Sequence, residues 1–82
     1  MFRIMVSAPA RRALEQSLPE GVAAAAWEFI NGPLAADPHR VGGQLSGMWS
    51  ARRGDYRVVY SIDDDIVTVT LLRLGHRRDV YR

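Results

Sequence analysis

Residues 55–63 (DYRVVYSID) and 66–74 (IVTVTLLRL) form the stretch of this sequence that decides the fold. Apolar and polar side chains alternate in the first segment, and β-branched residues dominate the start of the second, which predicts two strands. The acidic residues 63–65 between them are typical of a tight turn. The two segments therefore predict an antiparallel hairpin. In its first strand Tyr56 and Val58 would face a core, and Arg57 would face the opposite side.

A short strand and two helices are predicted ahead of this hairpin. Apolar residues alternate with other residues over residues 2–6, which indicates a half-buried strand. Ser7 is a suitable N-cap for a helix over residues 8–18. Residues 20–30 (EGVAAAAWEFI) favour a second helix, and Asn-Gly-Pro at residues 31–33 predicts its end.

A fourth strand, predicted over residues 45–53, follows a loop at residues 34–43. The resulting order is strand, helix, helix and three strands (β-α-α-β-β-β), in a single domain of residues 1–82. Two helices can cover only one face of an antiparallel sheet. We therefore expect an α+β, two-layer fold in which a helix hairpin covers one face of an antiparallel sheet and Arg57 lies on the open face.

Composition excludes several classes of protein. The 82-residue chain has no cysteine, so it has no disulfide framework and no cysteine-based zinc site. It has no apolar run near the roughly 20 residues that span a bilayer, so we expect a cytoplasmic protein without membrane contact. Its two histidines, His39 and His76, do not have the spacing of metal ligands. No metal site is predicted.

The basic residues are unevenly distributed. All 11 are arginines, and seven of them lie in residues 52–82. The absence of lysine has two alternative explanations. One is codon usage in a GC-rich genome, and the other is bidentate recognition of phosphate, for which arginine is well suited. Composition alone does not separate these explanations. Antiparallel pairing, however, would bring the basic start of the first hairpin strand, residues 52–57, close to the basic residues 76–78 just beyond the end of the second, which indicates a phosphate-binding edge.

Two ordered motifs give the sequence a family resemblance. Residues 53–60 (RGDYRVVY) and 76–82 (HRRDVYR) resemble the RelE/ParE toxins of type II toxin–antitoxin modules, and are most similar to the RelE branch. The resemblance implies a microbial-RNase-like fold. It also implies a metal-independent endoribonuclease without a cofactor, which cuts mRNA in the ribosomal A site through attack by the substrate's own 2′-hydroxyl. A cognate RelB-like antitoxin would inhibit it.

The resemblance also assigns roles to individual residues. Arg57 matches the family's catalytic arginine, Arg77 a second arginine and Tyr81 its C-terminal catalytic tyrosine. His76 titrates near neutrality and is a candidate for proton transfer, whereas Tyr81 can donate a proton or a hydrogen bond. Residues 48–52 contain no lysine, although well-known members carry two ahead of the Gly-x-Tyr-Arg motif, so the general base stays open. Further candidates for binding RNA phosphates are Arg52, Arg53 and Arg78.

Two other functions fit the same residues. One is a ParE-like toxin that poisons DNA gyrase without cutting RNA. The other is a catalytically weak module that only binds its antitoxin. For any of the three, an antitoxin helix would need an exposed apolar surface, and the sequence offers Met5, Leu34 and Met48 as candidates.

Overall fold

The computed structural model of this protein describes residues 1–74. The predictions for His76, Arg77, Arg78 and Tyr81 therefore lie outside the described residues. Within residues 1–74 no helix is both long and apolar enough to cross a bilayer.

The first helix begins where its capping residue predicts. Helix α1 spans Ala8–Arg12 and continues through a wider, π-type turn at Ala13–Ser17. The Ser7 hydroxyl oxygen accepts a hydrogen bond from the Ala10 amide at 3.3 Å, as expected of an N-cap. The same hydroxyl donates to the Thr70 carbonyl at 2.9 Å. This one side chain therefore both starts the helix and fixes it to the sheet.

The second helix continues past the predicted stop signal. Helix α2 spans Glu20–Phe29 and is followed by another wide turn, Ile30–Leu34, that contains Pro33. The prediction that residues 31–33 end the helix was wrong. A wider turn accommodates a residue without an amide hydrogen, and the buried Ile30 and Leu34 hold this turn against the core. A short helix, α3, follows at Pro38–Val41.

Five strands form one sheet within residues 1–74. They are β1 (Arg3–Val6), β2 (Gly43–Leu45), β3 (Met48–Arg53), β4 (Tyr56–Asp63) and β5 (Ile66–Leu74), in the spatial order β1-β5-β4-β3-β2. The α+β prediction is confirmed, and the β4–β5 hairpin has the predicted turn because Asp63 pairs with Ile66.

Two details of the predicted sheet were wrong. First, β1 pairs with β5 in parallel, so the sheet is mixed and not antiparallel throughout. Parallel neighbours need a long crossover connection, which the helices and strands between β1 and β5 provide. Second, the predicted strand 45–53 is broken by a two-residue turn at Ser46 and Gly47, both with positive φ. This turn creates the additional strand β2.

The core lies between the helices and one face of the sheet. The buried sheet residues Val58, Tyr60 and Val67 are fully covered. The Tyr56 hydroxyl donates to the Ala25 carbonyl of α2 at 3.2 Å, which shows directly that this face of β4 lies under the helices. Leu34 is also fully buried, so it is not part of an exposed surface, whereas 57% of the Met5 surface is exposed. The helix-free side of the sheet is called the open face below.

Candidate nucleic-acid interface

Arg57 lies on the open face, as the strand pattern predicts. Its neighbours on β4, Tyr56 and Val58, are buried, and Arg57 itself is exposed. A guanidinium nitrogen of Arg57 donates to the Ser50 hydroxyl on β3 at 3.3 Å. This contact leaves most of the five guanidinium donors available to a ligand.

Two more arginines flank Arg57 in the sheet. Arg57 is directly opposite Arg52 on β3 and directly opposite Arg73 on β5. Residues opposite each other in an antiparallel pair point to the same face, and all three side chains are exposed. Arg52, Arg57 and Arg73 therefore form a line across three adjacent strands on the open face, and we call them the arginine row.

A β-bulge brings Arg73 into this row. The pairing of β4 with β5 shifts between Val59 and Tyr60, so that Tyr60 is opposite Val69, Val59 is opposite Leu71, and Thr70 is the extra residue. The Thr70 hydroxyl donates to the Val59 carbonyl at 3.1 Å at this point. Because side chains alternate between faces, an unbroken alternation from Val69 would turn Arg73 toward the helices. The bulge reverses the alternation and turns it outward.

Sequence reasoning did not single out Arg73 as a site residue. Regular alternation after the buried Val67 and Val69 places Arg73 on the covered face. The signal that indicates otherwise is the adjacent pair Leu71-Leu72, where two apolar residues in succession interrupt the alternation. Leu72 is buried and Leu71 is 37% exposed, which is the outcome of the bulge.

Arg53 does not join the arginine row. It follows Arg52 on β3, so it points to the helix-covered face, where its guanidinium carbon lies 4.6 Å from the centre of the Phe29 ring. This is the geometry of a cation–π contact. The pKa of the neighbouring Tyr56 hydroxyl is raised above its ordinary value, mainly because the group is buried. The positive charge of Arg53 opposes this rise, and the negative charge of Glu28 adds to it. Arg53 thus serves the packing of α2 on the sheet in this structure, and its predicted phosphate contact stays a prediction.

An aromatic cluster lies on the covered face of β3 and β4, at the paired residues Trp49 and Tyr60. The Trp49 ring stacks on Tyr60 with centroids 6.4 Å apart and meets His39 edge-on at 5.3 Å. The Tyr60 hydroxyl donates to the Pro38 carbonyl at 2.6 Å, and burial raises the pKa of this hydroxyl. These aromatic groups are packing elements. Within residues 1–74, no three side chains of the metal-ligating types are close enough together to hold an ion.

Comparison with known proteins identifies the family. The protein-family model for the "ParE toxin of type II toxin-antitoxin system, parDE" matches residues 8–81. The protein "Toxin RelE" of Mycobacterium tuberculosis is 47% identical, over 99% of this chain and 87% of its own length. "Toxin RelG" of the same organism is 45% identical, over 99% of this chain and 97% of its own length.

A solved structure shows that the similarity extends to the fold. The crystal structure of the toxin–antitoxin complex RelBE2 from Mycobacterium tuberculosis superposes with a TM-score of 0.85 and 38% identity, covering 89% of this chain and 96% of that one. The sequence match extends over nearly the whole chain, and the family model includes the strands that carry the arginine row. This protein therefore belongs to the RelE/ParE superfamily and is a RelE-like toxin of a type II toxin–antitoxin system.

Proposed function

We propose that this toxin is a metal-independent endoribonuclease that cleaves mRNA in the ribosomal A site. The observation that carries the proposal is Arg57 at the centre of the arginine row, exposed on the open face and flanked on both sides by arginine. Attack by a 2′-hydroxyl develops extra negative charge on the scissile phosphate. Fixed cations beside that phosphate stabilise the transition state more than the ground state, which is what lowers the barrier.

The proton transfers are assigned to the C-terminal residues. In-line attack needs a base for the 2′-hydroxyl and an acid for the leaving 5′-oxygen. We assign these roles to His76 and Tyr81, with Arg77 as a second cation and Arg78 as an RNA-binding residue, because the C-terminal motif resembles that of the RelE branch. The protein needs no cofactor in this mechanism, because the arginines supply the positive charge. The catalytic unit is the single domain of residues 1–82.

A RelB-like antitoxin is the proposed partner. The RelBE2 structure that this chain resembles is a toxin–antitoxin complex, and the structure of an archaeal RelE–RelB complex from Pyrococcus horikoshii superposes with a TM-score of 0.67 and 27% identity over 93% of this chain. We propose that a cognate antitoxin inhibits this toxin in the cytoplasm, where its ribosomal target is found. The exposed Met5 is a candidate contact.

Primer extension on programmed ribosomes tests the proposal. The wild-type toxin should produce cuts inside the A-site codon, and the products should carry a 2′,3′-cyclic phosphate. A single 2′-O-methyl group at the cleavage site should abolish the cut, since it removes the nucleophile. Arg57→Ala and Tyr81→Phe should each slow cleavage by roughly 10²-fold or more. Arg11→Ala, an exposed arginine on α1, is the matched control and should cleave like wild type.

A gyrase poison is the second candidate, because the matching family model is named for the ParE toxins. A supercoiling assay with purified gyrase runs beside the ribosome assay. Inhibited supercoiling without mRNA cuts would replace the proposed function with gyrase poisoning. Inactivity in both assays, together with normal growth on expression, would leave only an antitoxin-binding module.

A further inference from the structure

We propose that Arg73 is an RNA-binding residue and that the mRNA backbone crosses the sheet along the arginine row, at right angles to the strands. In this arrangement Arg57 holds the scissile phosphate, and Arg52 and Arg73 hold the phosphates on either side of it. The inference rests on the proposed function, which it extends by giving the substrate a path over the protein.

The spacing of the row suits consecutive phosphates. Neighbouring strands lie about 4.8 Å apart, so the backbone positions of Arg52 and Arg73 are separated by roughly 10 Å across β4. Stacked nucleotides of one strand carry a charge about every 3.4 Å along the axis, and more extended ones carry it less densely. A row of three arginines on long, adjustable side chains therefore fits two or three successive phosphates.

The charges in the row are poorly compensated by the described part of the sheet. Like charges directly opposite each other destabilise a sheet, and Arg57 has two such neighbours. Asp55, in the turn two residues before Arg57, is the nearest acid along β4, and Asp63 lies at the far end of that strand. One nearby carboxylate against three guanidinium groups leaves a net positive line, which a polyanion would neutralise.

The surroundings of the row indicate contact with phosphates more than with bases. The next line on the open face consists of Leu71, Val59 and Ser50, which are opposite one another in the sheet. The aromatic residues of β3 and β4 lie on the covered face, so among the described strand residues none is placed to stack on a base. Phosphate contacts position a nucleic acid without reading its sequence. Loss of Arg73 should therefore weaken cleavage by a similar factor at different codons.

The inference is tested by a double-mutant cycle that combines a substitution in the protein with a chemical modification of the RNA. Arg73→Gln removes the charge and keeps a long polar side chain. A methylphosphonate at the linkage 5′ or 3′ to the scissile one removes the phosphate charge. Cleavage on ribosomes is measured as kcat/KM, and binding to the free toxin is measured with a short single-stranded RNA made uncleavable by 2′-O-methyl groups. Arg3→Gln is the matched control, because Arg3 is an exposed arginine on β1 that is paired with Ile66, at the opposite end of β5 from Arg73.

If Arg73 contacts a phosphate beside the scissile one, the losses of cleavage and of RNA affinity should follow a specific pattern. Arg73→Gln should lower kcat/KM and RNA affinity about tenfold on native RNA, and this loss should largely disappear when one of the two flanking linkages is neutral. Arg52→Gln should show the same coupling to the other flanking linkage. The slope of log affinity against log salt should become shallower by about 0.7 for Arg73→Gln, the value for one phosphate contact to a single strand. Arg3→Gln should show neither effect.

The outcomes separate this inference from the proposed function. Equal losses on native and neutral linkages would mean that Arg73 acts elsewhere, for example on ribosomal RNA, and would overturn the proposed path. So would an unchanged Arg73→Gln variant. If the wild type does not cut mRNA but still shows the binding cycle, the proposed nuclease fails and the RNA path stands. If it neither cuts nor binds, both fail.

Discussion

Gly42 should be the glycine at which this fold least tolerates a side chain. A Cβ built there would collide with the Tyr60 hydroxyl and would lie 2.8 Å from the Ser50 carbonyl oxygen and 3.1 Å from the Tyr60 Cζ. The Tyr60 side chain cannot easily retreat, because it is fully buried and its hydroxyl donates to the Pro38 carbonyl. Ser50 is part of β3 and is paired with Gly43 of β2, so its backbone is held by the sheet. Gly42→Ala must therefore break a hydrogen bond or distort the sheet.

The magnitude follows from these two costs. Leaving the Pro38 carbonyl without its buried donor costs about 1–3 kcal/mol, and overpacking the site costs about 1–3 kcal/mol. We expect Gly42→Ala to lower the free energy of unfolding by about 2–6 kcal/mol, the sum of these two costs. A domain of this size has a total stability of roughly 4–12 kcal/mol. With a urea m-value of about 1 kcal/mol/M, the unfolding midpoint should fall by about 2 M or more.

Urea denaturation, followed by tryptophan fluorescence, measures this loss, and an Arg57→Ala background allows the toxin to be produced. Gly43→Ala is the matched control, because a Cβ at Gly43 meets no atom within 4 Å and should change stability by under about 0.5 kcal/mol. Tyr60→Phe combined with Gly42→Ala should cost less than the sum of the two single changes, since the colliding oxygen is gone. A Gly42→Ala variant as stable as Gly43→Ala would refute this reasoning.

Three further predictions concern charge and packing. Burial raises the pKa of Tyr60 above its ordinary value of 10.0, so above pH 10 the folded state keeps a proton that the unfolded state loses. The free energy of unfolding should therefore be at its full value below pH 10 and should fall above it. In urea denaturation between pH 9 and 12, Tyr60→Phe should reduce this fall. Arg57→Gln removes two like-charge cross-strand pairs and should raise the free energy of unfolding by about 0.4–1 kcal/mol at low salt. This gain should be about twice the gain for Arg73→Gln, which removes one such pair, and both gains should be lost near 1 M salt. Destabilisation by Arg57→Gln at low salt would contradict this prediction. Arg53→Gln removes the cation–π contact with Phe29 and should cost about 0.5–1 kcal/mol in thermal denaturation, whereas an unchanged midpoint would mean that the contact is not formed in solution.

The sequence predicts the outward direction of Arg57 because strand alternation is a local property. Tyr56, Val58 and Tyr60 form a regular apolar series, and a one-residue slip would expose all of them to water. Burial therefore fixes the register strongly. The same reasoning predicts the Ser7 cap, since capping depends only on the first turn of the helix.

Other features depend on parts of the chain that are distant in sequence. The parallel pairing of β1 with β5 is set by the path of the intervening chain, which no local pattern reveals. The position of Arg73 depends on a bulge, which places Leu72 in the core next to residues from other elements. Arg52 and Arg53 are adjacent and chemically identical. Only the register of β3 decides that one joins Arg57 and the other packs on Phe29.

Substitutions at Gly42 and at Arg57 should change the free energy of unfolding in opposite directions. A change at Gly42 harms folding, and it should harm the activity of the toxin only to the extent that less folded protein is present. A neutral residue at Arg57 relieves repulsion between charges and should stabilise the free protein while slowing the proposed cleavage by roughly 10²-fold or more. Among the residues that the structure describes, the arginine row is unfavourable for the sheet alone, and under the proposed function bound RNA would offset this cost. A ligand that binds only the folded state stabilises that state by RT ln(1 + L/Kd), where L is the free ligand concentration. RNA should therefore raise the melting temperature of the wild type, and should raise it less for Arg57→Gln or Arg73→Gln because these variants would bind RNA more weakly. A variant whose stability gain survives but whose RNA response equals that of the wild type would separate the charge repulsion from RNA binding, and would place the ligand elsewhere on the molecule.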